Sequence, residues 1–182
     1  MKCPHCQSIL SKTAYKNVYV YECEKCQGMW FAKDDLRLAK DNTSEDLRWL
    51  DFDLFSETEG KFHALEGKRL CPVCSEVMLA RQYADSKVVI DVCQNKHGVW
   101  LDQREFQKII TYLDSLLNKK TSSSYASDLA KEFEEIATGS ESTISELKDF
   151  LAVSRLYEMR LIAEHPWVES VLATYYAVTP FK

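Results

Sequence analysis

Seven cysteines and four histidines are the residues of this 182-residue chain best suited to holding a metal, and the cysteines are not scattered. Cys3 and Cys6, Cys23 and Cys26, and Cys71 and Cys74 are each separated by two residues, while Cys93 stands four positions before His97. Two residues between ligands let one tight turn present both sulfurs to a single ion, with backbone N–H groups spreading the thiolate charge. Zn²⁺ takes four such ligands in a tetrahedron, and thiolate and imidazole suit it. Cys3, Cys6, Cys23 and Cys26, with 16 residues between the two pairs, have the spacing of a four-cysteine zinc site. In the second set, Cys71, Cys74 and Cys93 supply three ligands, and the position matching Cys26 is Lys96. His97, directly before Gly98, is the expected fourth ligand. The competing reading takes His97 off the ion and leaves an open position, as a catalytic zinc keeps. The expected content is two Zn²⁺ per chain.

The two sets belong to an internal repeat. Glu22 to Leu36 and Val92 to Phe106 both place ligand types just before Gly-x-Trp, then an apolar residue and a charged turn. The C-P-x-C pairs recur at an offset of 68 residues and the tryptophans, Trp30 and Trp100, at 70. A matching offset over several features is the mark of a repeated unit. Thr13 to Tyr21 alternates well enough for two short strands with a turn near Lys16–Asn17, and Val88–Ile90 reads as a strand. Lys33 to Lys40 reads as a short helix packing through Leu36 and Leu38. From Asp102 onward, Phe106, Ile109, Ile110, Leu113, Leu116 and Leu117 share one helical face.

Residues 41–68 interleave acidic residues with Leu47, Trp49, Leu50, Phe52, Leu54, Phe55 and Phe62. They read as a connector burying its aromatics against the two units, or as a docking segment for a partner. Lys119-Lys120-Thr-Ser-Ser-Ser reads as a linker. Beyond it Tyr125, Leu129, Phe133 and Ile136 share a face, and Thr138-Gly139-Ser140 stops that helix. Thr143 with Glu146 forms a capping box before Ile144, Leu147, Phe150 and Leu151. Pro166 suits the start of a last helix carrying Trp167, Val171, Leu172, Tyr175 and Tyr176, with Phe181 beyond it. These stripes serve either packing within the chain or association with a partner or a second copy.

Other chemistries find less support. Cys3-Pro4-His5-Cys6 matches the C-P-H-C of thiol oxidoreductases, but that chemistry needs a preceding strand and a following helix. Only two residues precede it here, and C-P-V-C recurs in the same context. His5 is expected to be exposed, and His63 and His165 stand apart from other ligand types. Asp34–Asp35 and Glu105 follow the tryptophans at matching places, where a helix N-terminus favours carboxylates. No nucleophile–base pair is visible. Residues 1–120 carry 18 basic and 18 acidic side chains, whereas residues 121–182 carry 5 and 10. That balance lacks the basic footprint of nucleic-acid binders. No apolar run approaches the roughly 18–20 residues of a membrane span. With no signal peptide before Cys3, the expected location is the cytoplasm, where clustered cysteines bind metal rather than form disulfides.

C-P-x-C, then C-x-x-C-x-G-x-W with an apolar residue and an acidic–apolar pair, resembles the bacterial zinc-ribbon family named after transcription factor IIB. The resemblance covers residues 1–40 and 69–110, and departs from the pattern at Lys96. It implies two zinc ribbons and, through the family's name, a link to transcription. The expected fold is small α+β. Residues 1–40 form one ribbon, 41–68 the connector, 69–119 a second ribbon with an extended helix, and 120–182 a helical region. The leading functional expectation is a non-enzymatic zinc-binding adaptor engaging a protein partner, or itself, through the connector or tail. A nucleic-acid-binding or transcription-associated factor is the second, and a zinc-thiolate redox sensor the third.

Overall fold

The computed structural model describes residues 1–52, 54–55, 64–65, 67–139 and 141–178, with the backbone alone at 64–65 and 176–178. Phe62, His63, Ser140, Phe181 and the side chain of Tyr176 therefore lie outside the described residues. The chain divides into two compact units, Met1–Ser115 and Leu116–Lys182.

In the first unit, Lys16 and Asn17 adopt positive φ (47° and 59°), as a two-residue type I′ turn requires. They join β1 (Ser11–Tyr15) to β2 (Val18–Glu22), and β3 (Met29–Ala32) pairs with the other edge of β2. The second repeat copies this plan. The short β4 (Ala64–Leu65) pairs with β5 (Leu79–Gln82), followed by β6 (Val89–Val92) and β7 (Gly98–Leu101).

The two repeats do not keep separate sheets. β3 pairs antiparallel with β7, giving one seven-stranded sheet in the order β1-β2-β3-β7-β6-β5-β4. Trp30 stands opposite Trp100, Met29 opposite Leu101, Phe31 opposite Val99 and Ala32 opposite Gly98. Because Trp30 and Trp100 are equivalent positions, each repeat offers the other the same strand, as in a two-fold symmetric interface. The pairing closes two strand edges that would otherwise stand open. Trp30, Phe31, Trp100 and Leu101 are almost completely buried there.

One helix follows each third strand. α1 (Asp35–Asp41) buries Leu36, whereas Leu38 is 39 % exposed and does not join the packing expected of it. α2 (Glu105–Lys119) buries Phe106, Ile109, Ile110 and Leu113. Phe106 stacks on Phe31 at 5.9 Å between ring centroids. Glu105 accepts from the Asp102 backbone N–H at 2.8 Å, so its carboxylate closes the turn ahead of the helix.

The connector is pinned by a buried lysine. Lys40 Nζ donates to the carbonyls of Leu47 (2.8 Å), Arg48 (2.7 Å) and Leu50 (3.1 Å) and to Asp51 Oδ1 (2.7 Å). Leu47, Trp49 and Leu50 are buried, and Phe52 meets the Tyr83 ring edge-on at 5.6 Å. This part of the connector is thus packed structure.

The second unit is helical. Thr121 caps α3 (Ser122–Thr138) by accepting from the Ser124 N–H, so Ser122 to Ser124 form a first helical turn and not the linker expected. The division of the chain falls earlier, within α2. α4 (Thr143–Glu164) is capped by Ser142 rather than Thr143, while Glu146 accepts from the Glu141 N–H. α3 and α4 run antiparallel: Ser122 bonds Glu164 at one end, and Phe133 lies 5.9 Å from Phe150 farther along. Pro166 precedes α5 (Trp167–Val178).

Candidate metal centres

Each site is built from two tight turns at the ends of short strands. In the first turn, the Cys3 N–H bonds Ser8 O (2.7 Å) and the Gln7 N–H bonds Cys3 O (3.0 Å), with Gln7 at positive φ. The His5 and Cys6 N–H groups then point at Cys3 Sγ, both at 3.4 Å. The second turn repeats the pattern: Cys23 N–H to Gly28 O at 2.9 Å, Gln27 N–H to Cys23 O at 2.7 Å, and Gln27 at positive φ. Together the turns converge four sulfurs. Cys3 Sγ lies 3.5 Å from Cys26 Sγ and Cys6 Sγ 3.4 Å from Cys23 Sγ.

The second site has the same frame with one insertion. The Cys71 N–H bonds Glu76 O (2.8 Å), the Ser75 N–H bonds Cys71 O (2.9 Å), and the Val73 N–H points at Cys71 Sγ (3.4 Å). Across from it, the Lys96 N–H closes on Cys93 O (3.0 Å), and Lys96, at positive φ, is exposed. The extra residue hands the ligand position to His97. Its Nδ1 lies 3.4 Å from Cys93 Sγ and 4.0 Å from Cys71 Sγ, and Cys74 Sγ is 3.7 Å from Cys93 Sγ.

In each set the four donor atoms lie within 4.8 Å of one another. A tetrahedral zinc with Zn–S near 2.3 Å sets its sulfurs about 3.8 Å apart, so both sets fit. The chain thus carries two zinc-ribbon sites, Cys3/Cys6/Cys23/Cys26 and Cys71/Cys74/Cys93/His97. Burial pushes Cys26 and Cys71 up to about 12, whereas the Glu76 N–H, above all, draws Cys74 down to about 6. Zinc takes its ligands deprotonated, so binding would release the protons that burial holds on Cys26 and Cys71.

Two neighbours of the sulfurs escaped the sequence reading. Ser8 Oγ sits 2.8 Å from Cys6 Sγ and 3.4 Å from Cys23 Sγ, and Asn95 Nδ2 donates to Cys74 Sγ at 3.6 Å. Both follow or precede a ligand by one or two residues, and only that proximity hinted at them. His5 is exposed, with Nδ1 3.1 Å from Arg69 Nη2, and takes no place among the donors. His165 is exposed at the end of α4. Arg69 also bonds Asp91 (2.7 Å) and Asp102 (2.8 Å), and Asp102 accepts from Trp100 Nε1 (3.1 Å).

Among the described residues, no helix is long and apolar enough to cross a membrane. Residues 2–41 and 70–112 both match the family described as transcription factor zinc-finger, the zinc ribbon of transcription factor IIB. The chain thus holds two copies of that ribbon. Among curated proteins and among solved structures nothing matches.

Proposed function

We propose that this chain, built on two zinc ribbons of the transcription factor IIB type, is a non-enzymatic adaptor that presents its helical unit to a protein partner. The observation that carries the reading is the exposed apolar surface of that unit. Ile144, Leu147 and Leu151 recur at i, i+3 and i+7 on α4, and Trp167, Val171 and Tyr175 at i, i+4 and i+8 on α5. All six are at least 46 % exposed. Apolar side chains in register on one helix face mark association more often than scattered ones do. Both metal sites have four protein donors, which is the pattern of structural zinc and leaves no position for a substrate. The neutral ribbon region gains negative charge from its thiolates, which disfavours phosphate backbones.

The test is affinity capture by the intact protein from nuclease-treated and untreated extracts, beside the variant Leu147→Ser/Leu151→Ser. Capture that survives nuclease and disappears with the variant supports the adaptor. Capture that nuclease abolishes and the variant leaves intact replaces it with a nucleic-acid-binding factor, the role the family's name suggests.

A further inference from the structure

The glycine of each Gly-x-Trp serves both repeats at once. Its carbonyl holds a ligand turn of its own site: Cys23 N–H to Gly28 O at 2.9 Å, and Cys93 N–H to Gly98 O at 3.0 Å. Its open Cα face lies against the tryptophan of the other repeat. A Cβ on Gly28 would stand 2.3 Å from Trp100 Cζ2, and one on Gly98 2.9 Å from Trp30 Cζ2. Each ligand turn is therefore seated on the opposite ribbon's indole. At Gly98 a φ of +153° and the nearby Phe31 carbonyl also demand glycine, and the indole contact adds to them; at Gly28 the Trp100 indole is the nearest neighbour of the open face.

The two sites also share one interior. Cys3, Cys23, Cys71 and Cys93, the buried ligands of both, belong to a single apolar cluster with Trp30 and Trp100. Polar ties reinforce it. Arg69, two residues before Cys71, reaches His5 between Cys3 and Cys6, and the Lys33 N–H bonds His97 O at 3.2 Å.

A ribbon of roughly 40 residues is near the size at which metal is part of folding itself. If the ion of the second site holds β7 in place, its loss also removes the partner of β3 and the cover of Trp30. The first site then loses the support beneath Gly28. Such an effect between sites is necessarily reciprocal.

We propose that the two zinc sites fill and empty as one cooperative unit, coupled through the reciprocal Gly28–Trp100 and Gly98–Trp30 contacts. Zinc at either site strengthens binding at the other by about tenfold or more, within the usual range of intersite coupling. The paired ribbons are then either assembled with two ions or dismantled. A half-loaded chain is a minor species.

Native mass spectrometry of the full chain at one zinc equivalent tests this without any substitution. Independent sites leave about half of the chains or more with a single zinc, whereas tenfold coupling between equal sites lowers that share to about a quarter. A one-zinc share below half is the expected result and requires positive coupling whatever the two affinities; a share of half or more, together with an unchanged affinity in the cobalt measurement below, overturns it. A chain that saturates at one zinc overturns the two-site reading, and the coupling with it. As a second measurement, Co²⁺ is titrated into full-length Cys71→Ser/Cys74→Ser, whose remaining site has four sulfur donors. Its affinity is expected to fall about tenfold relative to the same site in the unaltered chain, and unchanged affinity contradicts the proposal.

Discussion

Replacing Gly28 with alanine probes the joint between the ribbons directly. The added methyl would meet Trp100 Cζ2 at 2.3 Å, Trp100 Cε2 at 2.9 Å and the Leu101 carbonyl at 3.0 Å. Trp100 has no exposed surface and so no space to retreat into. Either the indole or the β3–β7 pair must therefore shift by about 1 Å to restore ordinary contact. Overpacking a filled core costs about 1–3 kcal/mol, and one weakened hydrogen bond between β3 and β7 adds about 1 kcal/mol. The sum, about 2–4 kcal/mol, is a large share of a typical domain stability of about 5–15 kcal/mol. At about 4 °C per kcal/mol for a unit of this size, the melting temperature falls by roughly 8–16 °C. Thermal unfolding of the zinc-saturated protein, followed by circular dichroism, measures it. A variant melting within about 2 °C of the parent, with both ions retained, would refute the packing described for this glycine.

Three further outcomes follow from the same structure. Lys40→Met strips the carbonyls of Leu47, Arg48 and Leu50 of their shared donor and costs about 3–5 kcal/mol, as breaking a buried ionic network does; an unchanged urea midpoint contradicts the pinning role. Glu105 is pushed up to about 7, chiefly by burial, so its contribution to stability is full below about 4.5 and is lost as pH rises through 7. Glu105→Gln keeps an acceptor for the Asp102 N–H, and its melting temperature relative to the parent is expected to rise between pH 6 and pH 8; a difference independent of pH contradicts the assignment. Finally, all eight ligands lie within Met1–Ser115, so a chain ending at Lys120 is expected to retain two zinc ions and remain monodisperse by light scattering. An aggregated or metal-poor product would show that the helices from Ser122 onward are needed for that unit.

What was legible in the sequence was local. Two residues between cysteines define a turn whatever surrounds it, so the ligand spacing carried both sites, including the handover from Lys96 to His97. The Lys16–Asn17 hairpin and the buried stripe from Phe106 to Leu113 are likewise written within a few residues. The partner of each Gly-x-Trp is not, because it lies 70 positions away and depends on strand register. Lys40 looked like a cation at the end of a helix, and only the fold of the connector around it reveals four oxygen partners. Leu38 and Phe133 fell on apolar periodicities yet are 39 % and 65 % exposed, while Glu132, Glu146 and Asp149 are buried. Periodicity identifies a helix face, but what covers that face is decided elsewhere in the chain. Ser122 to Ser124 read as a linker because serine favours turns, and Thr121 instead makes them the start of a helix.

Seven sulfurs and one imidazole nitrogen are placed to hold two zinc ions. Zinc-edge X-ray absorption on the metal-saturated chain, with the metal content measured on the same sample, tests it most directly. The expected result is two zinc ions per chain and an averaged shell of about 3.5 sulfurs at about 2.3 Å with about half a nitrogen at about 2.0–2.1 Å. One ion per chain, or a shell with about three sulfurs and a full nitrogen or oxygen per zinc, would contradict it.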